Sequence, residues 1–171
     1  TLTTYNGLVS KDEAVATAWG NVQSQYQRRA DLVPNLVSTV KGYAKHESET
    51  LEGVVAARAK ATQITVNADE LTPEKLKQYQ AAQGELSQAL GRLMAIQENY
   101  PQLKANENFS ELQAQLEGTE NRINESRQLF NSAEAEGGTI TATCAYSSTN
   151  YSPIGCSSAL MLGATWHVFE G

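Results

Sequence analysis

Apolar residues return every three or four positions, with an occasional step of seven, across residues 10 to 136, and few folds can use that spacing. A stripe of this period covers one face of an α-helix, so the segment has to form helices that bury their stripes against one another. The first stripe runs through Ala14, Ala18, Val22, Tyr26 and Val33. Ahead of it, Ser10-Lys11-Asp12-Glu13 has the form of a capping box, in which Ser10 accepts from an orphan amide and Glu13 reaches back. Pro34 lacks an amide proton and crowds the carbonyl four residues earlier, so this helix is expected to kink or end near Leu32. The stripe resumes through Leu36, Val40, Tyr43, Leu51, Val54, Val55 and Arg58 and closes near Ala68. Thr72-Pro73-Glu74 signals a new start, with Thr72 as N-cap and Pro73 in the first helical position. Leu76, Tyr79, Leu86, Leu90, Leu93 and Ile96 follow, and Tyr100-Pro101 stops the run. A final helix is expected to begin between Asn106 and Ser110 and to pass through Phe109, Leu112, Leu116, Ile123 and Phe130. Short polar links make neighbours antiparallel, so the fold class is mainly α, a long antiparallel bundle of about four helices. Gly84, Gly91 and Gly118 each weaken their helix by about 1 kcal/mol relative to Ala. The seven-residue step from Gly84 to Gly91 fits a face where two backbones approach closely, and simple tolerance fits equally well.

Charge divides the chain in two. All 13 Lys and Arg lie at or before Arg127, whereas from Gly138 to Gly171 the only charged residue is Glu170. Gly137-Gly138 marks the boundary, giving a helical bundle over residues 1–136 and a Ser/Thr-rich tail over residues 137–171. In the tail, residues 139–146 alternate Thr with Ile, Ala, Cys and Tyr, and residues 158–169 set Leu160, Leu162, Trp166 and Val168 on one face. A turn-rich link with Pro153 and Gly155 joins them, which predicts a short C-terminal β-hairpin. Two strands alone cannot bury a face in water, so this tail needs a host, either its own bundle or another molecule.

Several blocks in the bundle resemble a known family. Tyr5-Asn6-Gly7-Leu8-Val9-Ser10, Trp19, and the run from Gln25 through Arg28-Arg29-Ala30-Asp31-Leu32-Val33-Pro34 to Val37 are similar to the start of the bacterial LemA family. The likeness continues through Val40-Lys41-Gly42-Tyr43-Ala44, His46-Glu47 and Ala57-Arg58-Ala59-Lys60-Ala61. It resumes at Tyr100-Pro101-Gln102-Leu103-Lys104-Ala105-Asn106-Glu107-Asn108-Phe109 and at Leu116-Glu117-Gly118-Thr119-Glu120-Asn121-Arg122-Ile123. It covers roughly residues 5 to 132 and implies long antiparallel helices, normally preceded by a single membrane helix, with no catalytic activity and no cofactor. On that reading Thr1 lies just after a membrane segment that this chain does not contain. Beyond Phe130-Asn131 the family pattern continues the helix, whereas here Ser132-Ala133-Glu134-Ala135-Glu136 leads into Gly137-Gly138 and the tail.

The residues themselves offer little chemistry. A net charge of −6 without a basic stripe argues against nucleic acid or anionic lipid as the main partner. Glu117 and Glu120 share a helix face, but a bundle metal site needs Glu-x-x-His pairs, and His46-x-x-Glu49 is reversed and occurs once. An interhelical salt-bridge network is the better account of Glu117, Glu120, Asn121 and Arg122. Ser147, Ser148, Ser157 and Ser158 have His167 near them in sequence but no acid to orient it, and no Gly-rich phosphate loop occurs. Arg28, Arg29 and Asp31, with Lys41 and Arg58, form the densest polar block. It reads either as a partner-docking surface or anion site, or as a pairing of Arg28 with Asp31, three apart on one helix, that caps the kink at the proline. Cys144 and Cys156 either join in a disulfide that staples the hairpin outside the reducing cytoplasm or remain two small buried thiols, and the disulfide is the expectation. The expected function is that of a non-enzymatic bacterial cell-envelope scaffold with no cofactor, which binds other proteins, copies of itself among them. It would meet a membrane only through a preceding anchor. The alternative is a self-assembling subunit of an extracellular fibre or sheath, in which the tail, led by Leu160, Leu162, Trp166 and Val168, pairs with neighbouring subunits.

Overall fold

The computed structural model describes residues 2–68 and 71–147. They form five α-helices: α1 Leu2–Tyr43, α2 Ser48–Gln63, α3 Pro73–Ala95, α4 Pro101–Lys104 and α5 Glu107–Ser147, with a 3-10 turn over Ile96–Asn99 between α3 and α4. Three contacts fix how the two longest helices lie. Trp19 meets Phe130, Arg29 meets Glu120, and Tyr43 meets Asn106. One number rises as the other falls by the same step, so α1 and α5 run antiparallel in a constant register. α2 folds back on α1, and α3 folds back on α2.

Two starts are where local chemistry puts them. The Thr72 side chain accepts from the Lys75 amide at 3.3 Å with Pro73 beginning α3, and Asn106 Oδ1 accepts from the Phe109 amide at 2.9 Å at the start of α5. Elsewhere the structure corrects the sequence reading. α1 begins at Leu2, so the Ser10-to-Glu13 capping pattern lies inside a helix. Once a packed section has nucleated a helix, each further residue adds a hydrogen bond at little extra entropy. Pro34 does not end or divide α1 either. Its missing N–H frees the Ala30 carbonyl four residues earlier, and that carbonyl accepts instead from Arg58 Nε of α2 at 2.8 Å. The chain turns ten residues later, at residues 44–47, where Leu51 and Val54 swing back onto Val40 and Ala44.

The same propagation overturns the expected first strand of the tail. α5 continues through Gly137-Gly138 to Ser147, so residues 139–146 are helical and the described residues contain no strand. The second expected strand, with Cys156, Leu160, Leu162, Trp166 and Val168, lies outside the described residues. A methyl group placed on Gly84, Gly91 or Gly118 meets nothing within 4 Å, so these glycines are not points of close helix approach.

The buried residues form two apolar clusters along the bundle. One joins Val33, Leu36 and Val40 of α1 to Leu51 and Val54 of α2, Leu86, Leu90 and Leu93 of α3, Leu103 of α4, and Phe109 and Leu116 of α5. The other joins Val15, Trp19, Val22 and Tyr26 of α1 to Leu76 and Tyr79 of α3, Ile123 and Phe130 of α5, and Val66 of the loop before α3. Trp19 Nε1 and Gln23 Nε2 both donate to the Val66 carbonyl, at 2.9 and 2.6 Å, which fixes that loop against α1. Ala14, Tyr43 and Val55, expected on buried stripes, are exposed, and Val15 takes the core position beside Ala14.

Candidate functional site

Between the two clusters lies a layer built from the only three buried polar side chains of the described residues: Arg29, Gln83 and Thr119. Each stands at a core position of its helix. Arg29 continues the seven-residue series Val15, Val22, Leu36, and Gln83 falls midway between Leu76 and Leu90. Thr119 follows Leu112 by seven residues. One polar residue in an otherwise apolar seam specifies helix register at a cost in stability.

Arg29 is the centre of the layer, with 3% of its side chain exposed. Its Nη2 donates to the backbone carbonyl and the side-chain oxygen of Gln83, both at 2.8 Å, and its Nη1 donates to Glu120 Oε1 at 3.1 Å. The guanidinium carbon sits 5.0 Å from the centre of the Tyr26 ring, a cation–π arrangement. Arg29 Nε has no acceptor among the described residues. The Thr119 hydroxyl donates to the Gln115 carbonyl one turn earlier at 2.8 Å. Tyr26 packs edge-on against Tyr79 with ring centres 5.6 Å apart, and Tyr79 in turn meets Trp19 at 5.2 Å.

The electrostatics follow from this burial. Desolvation raises both phenols above their ordinary range. For Tyr26 the positive charges of Arg127 and Arg29 oppose that rise, and for Tyr79 the neighbouring Tyr26 adds to it. Neither hydroxyl is therefore an acid or base near neutral pH. The layer can hold one buried positive charge against one carboxylate and can set helix register.

The expected surface of Arg28, Arg29 and Asp31 is not one surface. Arg29 points inward and is buried, whereas Arg28 and Asp31 are exposed, with Asp31 accepting from Gln27 Nε2 at 2.9 Å. Three residues within one turn of a helix cannot share an outer face when the buried stripe takes the middle one. Glu120, grouped in sequence with Glu117, Asn121 and Arg122, does make an interhelical ion pair, and its partner is Arg29. Arg58, read with the polar block, serves Ala30 instead. Cys144 falls on the α5 backbone and Cys156 outside the described residues, so their disulfide stays an expectation.

Two surface features complete the picture. Leu2, Tyr5 and Val9, spaced three and four apart on α1, are 78, 58 and 41% exposed. A shallow groove of about 330 Å³ between α2 and α3 is lined by Gly53, three alanines, Gln88 and Arg92, with Lys60 and Glu85 across it in an ion pair at 2.8 Å. Among the described residues no three His, Cys, Asp or Glu side chains gather as a metal set, and no helix is long and apolar enough to cross a membrane.

The sequence model of the LemA family matches residues 18–139. The magnetosome protein MamQ of Magnetospirillum gryphiswaldense is 30% identical over 149 residues, an alignment covering 77% of this chain and 54% of that protein. The chain thus spans about half the length of the curated relative it matches.

Proposed function

Because the chain belongs to the LemA family, we propose that it is a non-enzymatic helical scaffold of the bacterial cell envelope whose surfaces bind other proteins. The observation that carries this reading is the exposed face of Leu2, Tyr5 and Val9. Three large apolar side chains on one face, at one end of a 42-residue helix, are what a protein partner would cover. The polar layer supports the same reading, since both Nη groups of Arg29 are engaged within the bundle and its phenols stay protonated. The magnetosome assignment belongs to MamQ itself. The alternative, a subunit that assembles through the tail, rests on the uncharged sequence of residues 138–169 with Leu160, Leu162, Trp166 and Val168.

A photo-crosslinking residue at Tyr5 or Val9, compared with one at Arg28, tests both readings in envelope fractions of the source cells. Adducts with a different protein from positions 5 and 9 alone support the scaffold. Adducts with the chain itself support self-assembly. Equal labelling at Arg28, or no adduct at either apolar position, rejects this face as the docking surface.

A further inference from the structure

We propose that the Arg29 layer is a seam across which the bundle opens in part: the half built around Trp19 comes apart as a unit while the half built around Leu86 stays folded. Among the described residues the two apolar clusters share no buried side chain, and Ile64, half-buried, is the one packed on both. Cooperative unfolding is carried by continuous apolar packing, and here that continuity stops at a plane of polar groups. The two halves are also unequally supported. α2 gives its buried side chains, Leu51, Val54 and Ala61, to the Leu86 half alone. The Trp19 half is closed by three helices and by Val66 of a loop.

The seam itself gains little from being shut. Among the described residues the buried Arg29 Nε–H is unmatched and Glu120 is the one carboxylate facing Arg29, 35% exposed, so water already reaches one side of the layer. On opening, the guanidinium recovers its hydration and the unmatched N–H gains an acceptor, which offsets part of the attraction between Arg29 and its partners. The groups facing Arg29 are Tyr26 on its own helix, Tyr79 and Gln83 on α3, and Glu120 on α5, with Arg127 of α5 also acting on Tyr26. The inference concerns the chain alone and does not rest on the proposed docking surface.

Native-state hydrogen exchange on the full chain, in guanidinium below the unfolding transition, tests it. Buried amides of residues 15–26 and 123–130 should exchange at least about tenfold faster than those of residues 33–40, 86–93 and 109–116, with a smaller denaturant dependence. Val40→Ala weakens only the half that stays folded. It should speed the second set by about tenfold and leave the first set unchanged. A single exchange free energy for all buried amides, with Val40→Ala speeding every one alike, overturns the proposal, as does faster exchange in the Leu86 half. The profile of the unsubstituted chain decides the matter alone if the variant does not fold.

Discussion

Replacing Glu120 by Ala should destabilise this protein more than its one-third exposure would indicate, because the charge it answers is buried. Arg29 and Glu120 approach to 3.1 Å, with 3 and 35% of their side chains exposed. Unit charges about 4 Å apart interact by about 4 kcal/mol at an effective dielectric near 20. The exposure of Glu120 and the two Gln83 acceptors that Arg29 keeps reduce this by roughly half, leaving about 2 kcal/mol. At about 3 °C per kcal/mol for a chain of this size, that is a fall of about 6 °C in Tm. Urea unfolding followed by helical circular dichroism measures it, with Arg29→Met as the second arm of a double-mutant cycle. Methionine removes the buried charge while filling similar space, so Glu120→Ala should cost under about 0.5 kcal/mol in that background. An equal loss in both backgrounds would falsify the coupling and reduce Glu120 to an ordinary surface residue.

Gly84→Ala, Gly91→Ala and Gly118→Ala should each stabilise the chain by about 0.5–1 kcal/mol, since each added methyl meets open space in a helix interior; a fall in Tm at any of them contradicts the packing described. Arg58→Met strands the Ala30 carbonyl and should cost about 1–3 kcal/mol, most of it recovered when Pro34→Ala restores the helical N–H, as a thermal-melt cycle will show. Burial raises the Glu134 carboxyl above its ordinary range, so the folded state holds that proton more tightly than the unfolded chain does. The desolvation penalty is therefore present above the folded pKa and fades as pH falls through it. Glu134→Gln should raise Tm at pH 7, and the gain should shrink toward pH 4; a gain that grows on acidification reverses the sign of the argument.

What is legible in the sequence is what repeats. Phe109, Leu116, Ile123 and Phe130 recur at sevens and are all buried, and Thr72-Pro73 and Asn106 announce helices that begin beside them. Capping and periodicity are local, so they can be read without the fold. The proline misleads because its consequence is not local: the carbonyl it frees finds a donor 28 residues away, on a helix whose path the sequence does not give. Ser10-to-Glu13 and Gly137-Gly138 mislead in the same way, as start and stop signals overridden by long helices already under way. The candidate site is nearly visible. Arg29 stands out in the sequence, but as a surface residue when it is read with its immediate neighbours instead of with the residues seven before and seven after it. Val22, Arg29 and Leu36, set beside Leu76, Gln83 and Leu90, place both polar residues inside.

The constant register of α1 against α5 has a mechanical consequence. Carried on in the same equal steps, it sets Leu2 across from Ser147, while Tyr43 and Asn106 meet at the opposite end. Helices of 42 and 41 residues are each about 60 Å long at 1.5 Å per residue. Anything joined to either terminus of this helix pair therefore starts from the same side, and the turn after Tyr43, where Glu47 accepts from the Tyr100 hydroxyl, stands off from it by about 60 Å. A tether at the Leu2 end would hold that turn as the tip of a lever, with the polar layer as its most compliant point about 40 Å out, two-thirds of the way along α1.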